Sequence, residues 1–247
     1  MALIVRDRLS SGSTELDKML GGGVLKESTV LVSGAPGVGK TTLGLQFLME
    51  GISKGQPGLL VSFEEFPASL IRDASQLGWD LRAMEKQGFL RLIFTSPEIF
   101  LESLKLQVGP IAEAIQTLNP ERIVLDSMTH FRRLSQDPTT LRETYNTLVN
   151  ALKRQGMTVL LLDEAPNVLQ TQSSKLSSLP FLVDTVILLR YVEVNSSMER
   201  AIAIMKMRGS SHQKEIRSFK IGQRGIEIGP PFTGKTRLLS GTPQRIG

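Results

Sequence analysis

The octet Gly34-Ala35-Pro36-Gly37-Val38-Gly39-Lys40-Thr41 constrains this chain more than any other stretch. An apolar, strand-like run, Thr29-Val30-Leu31-Val32-Ser33, leads into it. A helical segment carrying Leu43, Leu45, Phe47 and Leu48 leads out. A buried strand that turns through glycines directly into a helix begins a parallel α/β arrangement. The octet also fits G-x-x-x-x-G-K-[ST], the phosphate-binding loop of nucleoside triphosphatases. Its glycines let backbone N–H groups curl toward phosphate oxygens, and the helix N-terminus adds its dipole. Lys40 is placed to reach the β- and γ-phosphates, and the Thr41 hydroxyl to ligate Mg²⁺. Thr42 extends the predicted nucleotide contacts of Gly34 to Thr41 by one residue. A glycine-rich turn without a ligand is the competing reading, and the strand and helix on either side weigh against it.

The same alternation continues along the chain. Leu59-Leu60-Val61-Ser62-Phe63, Arg91-Leu92-Ile93-Phe94, Ile123-Val124-Leu125, Thr158 to Leu162 and Val183 to Leu189 read as strands. Helices are expected within 12–23, over Ala68 to Leu77 after Pro67, and over 98–118 with a break at Gly109-Pro110. A further helix carries Leu141, Tyr145, Leu148 and Leu152, entered through a Thr140-x-x-Glu143 capping box. Ala201 to Met207, Glu215 to Ile221 and Gly225 to Ile228 look like an antiparallel extension. The expected fold is therefore α/β: a mainly parallel sheet flanked by helices, with antiparallel C-terminal strands. One domain over 1–229 and a basic tail over 230–247 are expected, with a loop over the Ser-, Gln- and Asn-rich 164–178.

Composition narrows the chemistry. With no cysteine, disulfides and thiolate metal sites are excluded, and His130 and His212 stand far apart in the sequence. Neither a signal-peptide core nor an apolar run of membrane-spanning length is evident, so a cytoplasmic protein without a membrane partner is expected. The net charge of +5 permits contact with nucleic acid without requiring it. Lys235, Arg237 and Arg245 lie in the acid-free stretch after Glu227, so a solvated basic tail accounts for much of the excess.

Acidic residues fall at strand ends, beside which ligands of parallel sheets bind. Asp126 follows Ile123-Val124-Leu125, where a carboxylate can hold Mg²⁺ through a water or simply cap a turn. Glu64 and Glu65 follow the strand ending at Phe63. They are placed to position or deprotonate an attacking water, or to favour the next helix N-terminus. The metal candidates are thus Thr41, Asp126 and Glu64. Asp163-Glu164 ends another strand and would sense the γ-phosphate or be solvated. In Lys206-Met207-Arg208-Gly209-Ser210-Ser211-His212, Lys206 and Arg208 share one strand face. They would neutralise charge on a γ-phosphoryl group, across a subunit boundary given their distance in sequence, or guard an exposed edge strand.

Together these motifs resemble the KaiC family of RecA-like ATPases. The resemblance spans nearly the whole chain. It is carried by Gly12, Leu16-Asp17, Leu20-Gly21-Gly22-Gly23, the phosphate loop, Val61-Ser62-Phe63-Glu64-Glu65, Ile123-Val124-Leu125-Asp126-Ser127 and Lys206 through His212. Pro231-Phe232-Thr233-Gly234 and Leu239-Ser240-Gly241-Thr242-Pro243 add to it. The resemblance implies a homohexameric ring with ATP and Mg²⁺ between subunits. It implies catalysis by Glu64 and Glu65, a metal-site role for Asp126, and Lys206, Arg208, His212 and Lys214 reaching a neighbour's nucleotide; in the hydrolytic reading Lys40, Lys206 and Arg208 stabilise charge. The departures are a single domain where the clock protein has two, Lys26-Glu27-Ser28 where a glycine is usual, and Gln223 where an aspartate is expected. The first weakens a clock role.

The leading functional expectation is Mg²⁺-dependent ATP hydrolysis in a regulatory or signalling setting, with an unknown protein partner. One alternative is an autokinase acting on Ser210, Ser211 or the Ser173–Ser178 stretch. Another is a RecA-like DNA-binding ATPase using loops 128–140 and 164–178, through Arg132, Arg133, Lys175 and Phe131. A nucleotide-gated scaffold with negligible turnover is the last.

Overall fold

The structure is a computed structural model. It describes residues 7–164 and 179–233, together with the backbone of 235–236 and 244–245. In chain order the elements begin β1 (Arg8–Leu9), α1 (Thr14–Met19), β2 (Val24–Leu25), β3 (Thr29–Gly34), α2 (Lys40–Ser53) and β4 (Gly58–Ser62). They continue α3 (Pro67–Gln76), α4 (Leu81–Lys86), β5 (Leu90–Phe94), α5 (Pro97–Leu106), α6 (Pro110–Leu118) and β6 (Arg122–Asp126). A 3₁₀ turn (Met128–Arg133) leads to α7 (Pro138–Arg154), β7 (Thr158–Glu164), α8 (Leu179–Leu182), β8 (Thr185–Val194) and β9 (Ser197–Met207). Last come β10 (Arg217–Gly222), β11 (Gly225–Pro231) and the short pair β12 (Lys235–Thr236) and β13 (Gln244–Arg245).

Nine strands form one sheet in the order β11-β10-β9-β8-β3-β7-β6-β4-β5. The six from β8 to β5 run parallel, and β9, β10 and β11 continue antiparallel, as the alternation predicts. The central strands are apolar on both faces because both are covered. Val30 and Val32 of β3 pack into a core with Leu43, Phe47 and Leu48 of α2. Leu31 faces a second core with Tyr145, Leu148 and Leu152 of α7. Gly44 lets α2 lie close on the sheet: a Cβ there would come within 2.9 Å of Val124.

The structure differs from expectation in several places. Helix α7 starts earlier than the proposed capping box. Its cap is Asp137, whose Oδ2 accepts from Thr140 N at 2.8 Å and Thr140 Oγ1 at 2.7 Å, with Pro138 in the first turn. Proline suits that position because its missing N–H needs no partner. Strand β8 begins two residues later than predicted and runs on to Val194, because a tight turn at 195–196 folds β9 back along it. Strand β9 lies between β8 and β10, but β10 pairs only with Arg200 to Ile202, so the stretch carrying Lys206 is paired to β8 alone and the edge-strand reading stays open. The short β1–β2 pair and α4 carry too few periodic residues to be read from sequence. Arg237 and most of the Ser-rich stretch, from 165, lie outside the described residues. Among the described residues, no helix is long and apolar enough to cross a membrane.

Candidate functional site

At the carboxyl end of β3 the chain turns through the glycine loop into α2. Gly34 is required there by close approach: a Cβ would fall 2.5 Å from the Leu189 carbonyl oxygen on β8. Gly39 precedes α2 at φ +117°, a left-handed conformation costly to any residue with a side chain. It gives the helix no side-chain cap, so the first amides of α2 keep their donor capacity for a ligand. Val38 points the other way and is fully buried, pinning the loop to the core. From β8, the Tyr191 hydroxyl donates to the Gly37 carbonyl at 2.7 Å. The Arg200 guanidinium stacks over the Tyr191 ring, 5.3 Å from its centroid.

A cavity of about 340 Å³ opens beside this loop. Pro36, Gly37, Gly39, Lys40, Thr41 and Thr42 form one wall; Glu64, Glu65, Asp126 and Glu164 form the other, and Ile221 closes it from β10. The volume lies within the usual range for small-ligand sites. Lys40 is almost wholly buried, its Nζ 3.0 Å from the Ala35 carbonyl oxygen and 3.4 Å from Glu164 Oε1. Thr41 Oγ1 donates to Asp126 Oδ2 at 2.7 Å. Burial is the main cause lifting the Asp126 carboxyl from 3.8 to about 6. The Thr41 hydrogen bond and then Lys40 oppose that rise, while Glu65 and Glu64 add to it. A cation beside Asp126 would reverse the effect.

The donor set suits Mg²⁺: a hydroxyl and a carboxylate, both hard oxygens, already in contact beside a phosphate-binding loop. Among the described residues no cluster of three or more His, Cys, Asp or Glu has metal-holding geometry.

Glu64 and Glu65 both line the cavity. The Glu65 carboxyl is raised by partial burial first, then by Asp73 and Glu64. Glu64 Oε2 lies 3.2 Å from His130 Nε2, a contact between residues that the sequence keeps far apart. The Asp163-Glu164 pair divides its duties, because successive residues on a strand face opposite ways. Asp163 is buried and held by Arg132, whose Nη2 donates at 2.8 and 2.7 Å to its two oxygens. Burial still leaves its carboxyl above the ordinary value, against the pull of Arg132. Glu164 is the one that lines the cavity.

The DNA-binding reading loses its best residues. Arg132 is committed to Asp163, and Phe131, the expected stacking platform, is fully buried, edge-on to Phe63 at 5.0 Å. Arg133 is exposed, and Lys175 lies outside the described residues.

Lys206 and Arg208 are not at their own chain's phosphate loop. Lys206 Nζ donates to the carbonyls of Pro180 at 3.0 Å and Val183 at 2.7 Å; Arg208 Nη2 donates to that of Phe181 at 2.7 Å. Burial, and then Arg208, lower the Lys206 pKa. Arg208 N bonds the carbonyl of Asp184, and Asp184 N bonds that of Thr29, which places Arg208 level with the start of β3. Gly34 is at the other end of that strand, five residues or about 16 Å away at ~3.3 Å per residue. His212 is half-buried and Lys214 exposed, in the same connection between β9 and β10. Neither lines the cavity.

The family model described as "ATPase: KaiC" matches residues 9–232. The chain belongs to the KaiC ATPase family. It is 39% identical over 236 residues to the circadian clock protein KaiC3 of Synechocystis sp., covering 96% of this chain and 46% of that protein. It is 37% identical to the circadian clock oscillator protein KaiC of Parathermosynechococcus lividus, over 97% of this chain and 44% of the relative. The chain therefore spans somewhat under half the length of these curated relatives. The crystal structure of the KaiC-like protein PH0186 from Pyrococcus horikoshii matches with a TM-score of 0.80 at 30% identity. That match covers 91% of this chain and all of the other. The family is one of nucleotide-binding ATPases, which agrees with the cavity and its loop.

The contributions of His130, Tyr191, Ile221 and, over its neighbour, Glu164 were not singled out from sequence. His130 stands four residues after Asp126, its only local signal; Tyr191 and Ile221 sit in ordinary strand patterns.

Proposed function

We propose that the chain binds ATP and Mg²⁺ in this cavity and hydrolyses ATP to ADP and phosphate, in a regulatory or signalling role. The observation that carries this reading is the convergence of Lys40, the Thr41–Asp126 contact and the Glu64-Glu65 pair on one cavity. The amides of the loop and α2, with Lys40, hold the phosphates. Thr41, Asp126 and Glu64 would hold the metal ion, which would supply positive charge to offset that of the phosphates. Glu64 or Glu65 orients a water and takes its proton as the oxygen attacks the γ-phosphorus. The bond to the β–γ bridging oxygen breaks, and ADP leaves. A raised carboxyl, as at Glu65, suits the acceptance of a proton.

Lys206 and Arg208 complete the site from a neighbouring copy, with His212 and Lys214 nearby, in a ring of six. Their placement away from the loop supports this: Arg208 lies level with the start of β3, and the Lys206 side chain is bonded to the Pro180 and Val183 carbonyls. A contact joining two different faces is heterologous, and it forms a ring when its rotation closes.

Phosphate release by purified protein with Mg-ATP tests hydrolysis, and Lys40→Ala and Glu64→Gln/Glu65→Gln should abolish it. Light scattering with and without ATP tests assembly. Mixing Glu64→Gln/Glu65→Gln chains with Lys206→Ala/Arg208→Ala chains tests the shared site. About a quarter of randomly formed interfaces then pair intact halves, so turnover returns. No recovery from well-assembled mixed rings would rule out completion in trans.

Hydrolysis is favoured over autokinase activity by the state of one acceptor. The Ser210 hydroxyl accepts from Arg8 Nη2 at 2.5 Å and donates to the Ser211 carbonyl at 3.0 Å. A phosphate mass shift after incubation with ATP would reverse that preference.

A further inference from the structure

The 3₁₀ turn Met128–Arg133 follows Asp126 where a surface loop is expected. It is anchored at three points. Phe131 is buried against Phe63. Thr129 Oγ1 accepts from Glu164 N at 3.0 Å. Arg132 grips the Asp163 carboxylate and donates to the Glu164 carbonyl at 3.1 Å. Between these anchors stands His130, mostly buried, with Nε2 3.2 Å from Glu64 Oε2. A carboxylate can only accept, so Nε2 carries the proton in this contact.

Glu64 needs such a partner. It lies just past the end of β4, its side chain is 55% exposed, and among the described residues His130 is the only side chain bonded to its carboxylate. Left free, it would sample several rotamers, of which few aim an oxygen at a water beside the γ-phosphate. An N–H fixed to Oε2 restricts that motion and leaves Oε1 to accept from the water. The turn that carries His130 also grips the backbone of Glu164, whose carboxylate faces Lys40 across the cavity. One rigid element thus sets the positions of two cavity carboxylates.

We propose that His130 is a positioning residue for Glu64, fixing the carboxylate that handles the attacking water. This rests on the hydrolytic reading above. The test compares wild type, His130→Ala and His130→Gln by kcat with Mg-ATP, Kd for a non-hydrolysable ATP analogue, and thermal midpoint. His130→Ala should lower kcat about ten- to hundredfold, the cost of a misplaced group. Kd should stay within about threefold and the midpoint should hold, because the contact lies on the cavity rim. His130→Gln keeps an N–H donor and should recover most of the loss. In a Glu64→Gln background, His130→Ala should have no further effect on the residual rate, since the two act as one unit. Additive losses in the double variant would overturn the proposal, as would a loss seen in Kd or midpoint instead of kcat, or a glutamine that fails to rescue. If Glu64→Gln stops turnover while His130→Ala does not, the inference falls and hydrolysis stands. A wild-type chain that binds ATP without turning it over removes both.

Discussion

The Asp126 carboxyl is lifted from 3.8 to about 6, chiefly by burial. The folded chain therefore holds the proton more tightly than the unfolded one. The Asp126 contribution to stability is full below about pH 4 and is lost as pH rises through about 6. Two pKa units correspond to about 3 kcal/mol. Asp126 is only half-buried on the cavity side, so water screens its charge and roughly 1–2 kcal/mol remains. Asp126→Asn removes the charge and keeps an oxygen to accept from Thr41. Thermal or urea unfolding without nucleotide or Mg²⁺ should find it more stable than wild type by about 1–2 kcal/mol at pH 7.5. The gap should close near pH 4. With Mg-ATP the order should reverse, because the variant loses the carboxylate proposed to hold Mg²⁺. A stability difference that does not change between pH 4 and 7.5 would refute this account of the Asp126 environment.

Three other perturbations follow from single contacts. Arg122 is fully buried, stacks on Phe47 at 4.4 Å, and donates to the carbonyls of Ser10 and Phe47 and to Gln56 Oε1. Burial lowers its pKa to about 10. Arg122→Met strands these acceptors but relieves a buried charge, for a net loss of about 2–4 kcal/mol by urea unfolding. Glu27 holds φ +58°, a left-handed conformation that favours glycine. Glu27→Gly should raise stability by about 0.5–1 kcal/mol, while Glu27→Ala should give no such gain in the same melting assay. Tyr191→Phe frees the Gly37 carbonyl and should weaken ATP-analogue binding about three- to tenfold by calorimetry, with a melting midpoint near wild type.

Much of this architecture was legible because its signals are local. The apolar runs at 29–33, 59–63, 123–125 and 158–162 report buried strands by composition alone. The glycine-lysine octet reports a backbone conformation that few other residues can adopt. Asp126, Glu64 and Glu65 were found by their position just past strand ends, where a parallel sheet must place its ligands. The capping of α7 was misplaced by three residues because Thr140 and Asp137 both offer plausible caps. Geometry alone shows that Asp137 accepts the bonds.

The amino-acid sequence by itself determined the element types, the strand-loop-helix unit and the carboxylates at the mouth of the sheet. Each depends on residues close together in the chain. The tertiary structure decided which of Asp163 and Glu164 enters the cavity, because Arg132 captures the one facing the other way. It brought His130 to Glu64 across 66 residues of sequence. It also set Arg208 level with the start of β3 and Lys206 level with Leu31, both away from the loop, through the registers of β9 on β8 and β8 on β3. Register and strand order are properties of pairings between distant segments, and no local pattern of residues encodes them.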